Sequence, residues 1–343
     1  MPNTHSKIQK IVVLIALLTL PLCFIPISIV SASLPSISAM SEPIIADHSI
    51  VNEVRLNLLD TNLVDDARET LHVGYFHTSH GSQLTSNRLE MIDFMESNYE
   101  NGQKFNWTEG GVGDSLDLDD YCISGDLGNP DYTTWETLTR PYLNSNPDCN
   151  VFMGSWCGQV SGATEENINT YLSLMTGLEN DYPNVTFVYM TGHVDGTGLT
   201  GNLHIRNEQI RAYCISNNKV LFDFADIESY DPDGTYFGHL NVQDDCDYDG
   251  GNWATEWQDS HTEGVDWFSC SSAHSYPLNA NMKTYAMWWM FAMIAAGEVI
   301  DPQDPRPNPL TPREILIYVG IGTGTLIILG CVTALILHNK KKK

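Results

Sequence analysis

Short apolar runs alternate along this chain with amphipathic stretches, and their periods predict the elements before any chemistry is considered. Leu71 to Phe76, Val151 to Ser155, Val185 to Met190 and Val220 to Phe224 are apolar, rich in β-formers and followed at once by Gly, His, Ser or Asp. They predict buried strands. The clearest helix has Thr164 as N-cap, Glu165 and Glu166 in its first turn, and Ile168, Tyr171, Leu172, Met175 and Leu178 on one face. Asn87 to Tyr99, Ile205 to Ile215 and Met282 to Ala296 predict three more, with Trp288 and Trp289 as core residues of the last. Strands alternating with helices imply a parallel sheet with helices on both faces. Such a sheet carries its site beyond the carboxyl ends of the strands.

Two longer apolar runs lie at the ends. Ile11 to Val30 follows Lys7 and Lys10 and closes on the small residues Ser31 and Ala32, the pattern of a secretion signal. Ile315 to Leu337 is uncharged over 23 residues, enough at a rise of about 1.5 Å to cross a bilayer core of about 30 Å. The lysines from Lys340 to Lys343 mark its cytoplasmic side. The expected organisation is a signal peptide (1–32), a leader (33–66), an ectodomain (67–300), a proline-rich stalk (301–314), a transmembrane helix (315–337) and a lysine tail (338–343). The expected product is a single-pass type I surface protein. Gly320 and Gly324 form a GxxxG pair that would let two spans approach as a weak homodimer.

Charge removes one class of partner. With 17 Lys+Arg against 43 Asp+Glu, the net charge of −26 repels phosphate backbones, so no nucleic-acid partner is expected. Export bears on the cysteines. Cys122, Cys149, Cys157, Cys214, Cys246 and Cys270 lie between the terminal runs, an even set that an oxidising compartment would join into up to three disulfides of unassigned pairing. Asn106 and Asn184 open glycosylation sequons.

The polar residues after the strands carry the candidate chemistry. The first strand runs into Phe76-His77-Thr78-Ser79-His80-Gly81-Ser82-Gln83, a serine on a strand-to-helix turn beside a glycine that permits close backbone approach. Later loops supply Gly154 to Gln159, Thr191 to Gly196, Asp223 to Ser229 and Cys270 to Ser275. A serine needs a base to lose its proton at neutral pH, and a histidine from a distant loop is the usual partner. A competing reading gathers His77, His80, His193, Asp195 and His274 around a water-activating metal. Separately, Asp245, Asp247, Asp249, Gly251 through its carbonyl, and Glu256 match the ligand spacing of an EF-hand-type loop, which predicts structural calcium.

From about Leu71 to Gly297 the sequence resembles the SGNH (GDSL-like) hydrolases, in particular a subgroup of secreted prokaryotic SGNH-like proteins. The resemblance rests on His77-Thr78-Ser79-His80-Gly81-Ser82-Gln83, Ser155-Trp156-Cys157-Gly158-Gln159, Leu221 to Ser229, and Ala273-His274-Ser275 with Pro277-Leu278-Asn279 and Trp288-Trp289. It implies a three-layer α/β/α, flavodoxin-like esterase or deacetylase, with Ser79 as nucleophile, His274 as base, and an oxyanion hole from the Ser79 and Gly111 N–H groups and the Gln159 amide. No cofactor is implied for that catalysis. This chain has His77-Thr78 where the family has Gly-Asp, Gln159 where it has Asn, and Ser271 where it has the acid, so that orientation of His274 would fall to Asp266, another group or a backbone carbonyl. The expected function is hydrolysis of an acyl or acetyl ester on a small molecule or glycan. The alternatives are a non-catalytic binding module on the same fold and a metal-dependent hydrolase.

Overall fold

The computed structural model describes residues 42–51, 57 and 61–297. The expected signal peptide, stalk, transmembrane helix, lysine tail and GxxxG pair lie outside the described residues. Among the described residues no helix is long and apolar enough to cross a membrane.

In chain order the strands of the main sheet are β1 (Ile45–Ala46), β2 (His72–Phe76), β3 (Trp107–Thr108), β4 (Leu116–Asp120), β5 (Val151–Gly154), β6 (Thr186–Met190) and β7 (Val220–Phe222). The helices are α1 (Thr61–Thr70), α2 (Arg88–Tyr99), α3 (Thr134–Ser145), α4 (Glu165–Asp181), α5 (Asn202–Ser216), α6 (Phe224–Ile227), α7 (Trp253–Ser260) and α8 (Pro277–Ala296). A small antiparallel pair, β8 (Asp247–Tyr248) and β9 (Gly251–Asn252), precedes α7.

All pairings in the seven-stranded sheet are parallel, in the order β1-β7-β6-β5-β2-β4-β3. The predicted α/β class is therefore observed. From β4 to β7 the order is that of a doubly wound sheet, 2-1-3-4-5 counted from β2. Its switch point lies between β2 and β5, where successive crossovers leave for opposite faces and open a crevice at the strand ends.

The two faces can be read from side chains. A Cβ on Gly74 would strike the Tyr142 ring of α3. Phe76 stacks towards Trp135 of α3, and Tyr189 lies against Tyr171 of α4 and Tyr213 of α5. These three helices cover one face. On the other, the Tyr75 hydroxyl donates to the Gly81 carbonyl, Thr284 of α8 donates to the Leu84 carbonyl, and the Asn87 amide before α2 donates to the Ala280 carbonyl.

Local sequence explains the helices that frame the site. Thr164 and Asn167 form a reciprocal capping box at α4, with Glu165 and Glu166 against the positive end of its dipole. α8 starts with Pro277 in its first turn and stops at Gly297, whose φ of 70° admits the left-handed cap. From Leu278 to Met293 every residue of α8 is buried, because it threads between α1, the turn after β2 and the β1 edge. Trp288 and Trp289 are core residues, as expected, the first edge-on to Phe105.

Candidate active site

The turn after β2 places Ser79 at the switch point as the N-cap of a short 3-10 turn, His80–Leu84. Gly81 makes this turn possible. A Cβ there would sit 2.2 Å from Ser155 Oγ and 2.4 Å from His77 Cβ, inside any allowed contact. From the loop before α8, His274 reaches across so that its Nε2 lies 2.8 Å from Ser79 Oγ. Its backbone holds φ = 61°, an uncommon region for a histidine and one that surrounding contacts must enforce. Those contacts include Gln83, whose amide donates to the Ala273 carbonyl, and Asn279, whose amide donates to Ser275 Oγ.

Behind this pair three imidazoles form a stack. His80 lies between His193, with centroids 3.9 Å apart and planes at 1°, and His274, at 4.3 Å and 10°. His80 is buried, with Nε2 2.9 Å from Asp244 Oδ2 and Nδ1 3.2 Å from Cys157 Sγ. Burial, reinforced by the neighbouring imidazoles, holds His80 below the usual histidine pKa despite its bond to Asp244. Burial pushes Asp244 upward, but the hydrogen bond from His80 and the charges of the histidines outweigh it and keep this carboxyl below the ordinary range. Cys157 completes the cluster with Sγ 3.8 Å from Ser79 Oγ.

A buried ion pair underpins these loops. Lys283 of α8 and Glu228 are both fully enclosed, Nζ to Oε1 2.6 Å, and Nζ also donates to Gln83 and sits 3.8 Å over the Phe224 ring. The other Glu228 oxygen accepts the Val194 N–H, next to His193. One charge pair thus ties together the loops that carry Ser79, His193 and His274.

Several sequence expectations are corrected. Asp266 does not orient His274; its carboxylate accepts the Thr262 N–H in its own turn. Among the described residues no carboxylate hydrogen-bonds to His274, and the ring is backed by His80 instead. Gly111 is not at the site. It lies beside Asp117 at the amino end of β4, away from Ser79, with its N–H already given to the Thr108 carbonyl. The Gln159 amide is committed too, Nε2 donating to buried Asp126 and Oε1 accepting the Cys157 N–H. Of the three expected oxyanion donors, the Ser79 N–H is the one that stays at the reacting atom. The six cysteines are free thiols: Cys214 is enclosed in the core, Cys246 faces Ser275, Cys270 faces the Pro277 carbonyl, and the rest are likewise unpaired with sulfur.

The metal expectations meet different obstacles. His77 leaves the histidine cluster, held by Asp120 and the Thr78 carbonyl, and Asp195 closes a turn onto Thr197. His80, Asp244 and His274 offer ligand atoms within 4.8 Å of one another. The stacked rings, however, aim their in-plane lone pairs along near-parallel planes, so an ion about 2.0–2.1 Å from one nitrogen lies outside the plane of the other ring. The calcium loop folds as the β8–β9 hairpin. Asp245 accepts the Asp247 N–H, Asp247 accepts from Asn252, Asp249 from Asn241, and Glu256 from Tyr248 and the Asn252 N–H, so the carboxylates are spent on capping instead of converging. Gly251 packs directly against Glu256.

Ser79 opens onto a cleft of about 520 Å³ lined by His77, Thr78, Tyr121, Cys122, Ile123, Ser124 and Gly125. Tyr121 is 56% exposed at its mouth, its ring resting 4.0 Å from that of His77. A second cavity of about 320 Å³ lies by β7 and α5. It holds no activated hydroxyl, since Ser229 there donates to the Ala225 carbonyl and Arg211 is clamped by Asp223. Comparisons with protein-family models, with curated proteins and with solved structures found no match.

The residues that sequence reasoning passed over are Asp126, Cys157 as more than a disulfide partner, Asp244 and Lys283. Asp244 stands one position before the acidic run taken for a calcium loop, and nothing in its local pattern separates it from that run.

Proposed function

We propose that the protein is a serine hydrolase of the SGNH (GDSL-like) type, displayed outside a membrane by its C-terminal apolar segment, that cleaves an acyl or acetyl ester. The observation that carries this reading is the 2.8 Å contact between Ser79 Oγ and His274 Nε2 at the switch point of the sheet. In it, Oγ attacks the ester carbonyl while His274 takes its proton, then returns that proton to the leaving alcohol. The developing oxyanion meets the Ser79 N–H. The same imidazole activates the water that frees the acid. A dyad without an orienting acid retains this chemistry, because the third member mainly holds and stabilises the ring. The flat, exposed face of Tyr121 beside an open cleft suits a sugar ring and supports an ester borne on a glycan.

The test is hydrolysis of p-nitrophenyl acetate and of an acetylated oligosaccharide by the full-length protein in detergent. Turnover that disappears in Ser79→Ala and in His274→Ala is expected. Equal turnover by Ser79→Ala would refute it. A non-catalytic binding module is the second reading, favoured by the commitment of Gln159 and the distant placement of Gly111 and Asp266. Binding of the oligosaccharide with no turnover would select it.

A further inference from the structure

Among the described residues no carboxylate hydrogen-bonds to the histidine that touches Ser79, whereas the neighbouring cysteine has a complete relay. Asp244 Oδ2 lies 2.9 Å from His80 Nε2, which must then carry the proton because a carboxylate only accepts. That tautomer turns the lone pair of Nδ1 toward Cys157 Sγ, 3.2 Å away. Nucleophile, base and orienting acid follow one another in hydrogen-bond reach, the arrangement that activates a thiol. Gln159 Oε1 accepts the Cys157 N–H and fixes its backbone, and the half-buried Sγ stands 3.8 Å from Ser79 Oγ.

We propose that Cys157 is a second nucleophile of this crevice, an activated thiol that reacts with small soft electrophiles and in particular with hydroperoxides. The sulfur attacks the nearer peroxide oxygen and the O–O bond breaks. The leaving hydroxide, or alkoxide from an organic hydroperoxide, takes the thiol proton held on His80 and departs as water or alcohol, leaving Cys157 as a sulfenic acid. Sulfur is oxidised and the peroxide is reduced, with no other reactant. The added oxygen lies within contact range of Ser79 and obstructs acyl transfer. That last consequence rests on the reading of Ser79 as nucleophile, while the thiol chemistry does not.

The other thiols supply an internal reference. Burial pushes Cys122, Cys214 and Cys246 far up, Cys149 up to about 11 and Cys270 up to about 12. Cys122 and Cys270 are half-buried like Cys157, so they control for access.

The experiment treats the full-length protein in detergent with iodoacetamide and follows each cysteine by peptide mass spectrometry. Cys157 is expected to alkylate on the order of tenfold faster than Cys122 and Cys270. His80→Phe, which keeps the ring stack and removes the base, should bring it down to their rate with the melting transition intact, as should Asp244→Ala. In parallel, hydrogen peroxide followed by dimedone should tag Cys157 and lower fluorophosphonate labelling of Ser79. In Cys157→Ala the ratio of labelling with and without peroxide should stay near one. Alkylation of Cys157 no faster than of Cys122 and Cys270, or a rate indifferent to His80→Phe and Asp244→Ala in folded protein, overturns the proposal. If Ser79 takes no fluorophosphonate even before peroxide, the serine reading fails, and the alkylation rates still decide the case for Cys157.

Discussion

The imidazole of His274 lies flat on that of His80, centroids 4.3 Å apart and planes within 10°, so the ring that meets Ser79 is backed by another ring and not by an acid. This assigns unequal weights to three substitutions. His274→Ala removes the base and should lower ester turnover by about 10²–10⁴. His80→Ala removes the support and should cost about tenfold, with much of it restored by His80→Phe. Asp266→Asn, at a carboxylate that serves only its own turn, should leave turnover within about twofold. Steady-state kinetics on the detergent-solubilised protein checks all three, and a loss in Asp266→Asn equal to that in His274→Ala would reinstate the acid.

Gly81 has no room for a side chain. With a Cβ 2.2 Å from Ser155 Oγ and 2.7 Å from the Tyr75 hydroxyl, Gly81→Ala must move the Ser79 turn or the strands beneath it. A loss of stability of about 2–4 kcal/mol, with loss of Ser79 reactivity, is expected from a denaturation curve and a labelling gel.

Lys283 and Glu228 form an ion pair with no solvent access. Glu228→Gln or Lys283→Met alone strands a buried charge and should cost about 3–5 kcal/mol. The double substitution should recover a large part of that loss, because the penalty lies in the unpaired ion. Additive losses in urea denaturation would contradict this view of the pair.

His48 and Asp226 join the β1 edge to α6 through a hydrogen-bonded ion pair. Burial opposes both charges. The partner prevails, so that His48 is raised above its ordinary 6.5 and Asp226 is lowered below its ordinary 3.8. The His48 contribution is full below pH 6.5 and is lost as pH rises through the higher folded value. The Asp226 contribution is present above pH 3.8 and is lost as pH falls through the lower one. With both groups about a quarter exposed, the pair is worth about 1 kcal/mol, or a few degrees of Tm. The Tm difference between the wild type and His48→Gln should therefore shrink as pH rises from slightly acid to slightly alkaline.

The sequence announces the elements whose pattern is enforced by burial on a regular period. The apolar runs at β2, β5, β6 and β7 and the capped helix at α4 are observed within a few residues of their expected bounds. β4 escapes because its Leu-Asp-Leu-Asp-Asp sequence shows only two apolar residues in alternation, so that its acid content outweighs its strand pattern. α3 escapes because Pro141 sits inside it. At the site, Ser79 and His274 are legible through motif and position. Asp126, Asp244 and Lys283 are not, because their roles come from contacts spanning 33 to 200 residues of chain, for which no local period exists. The calcium spacing is legible as well, but ligand spacing alone does not bring carboxylates together where nearby amides and hydroxyls hold them.

Activation of Ser79 by His274 is read out by labelling the folded full-length protein with a fluorophosphonate probe. A single adduct on Ser79 is expected, retained in Ser82→Ala and absent in Ser79→Ala and His274→Ala. Labelling that persists in folded His274→Ala, or no adduct in the folded wild type, would contradict it.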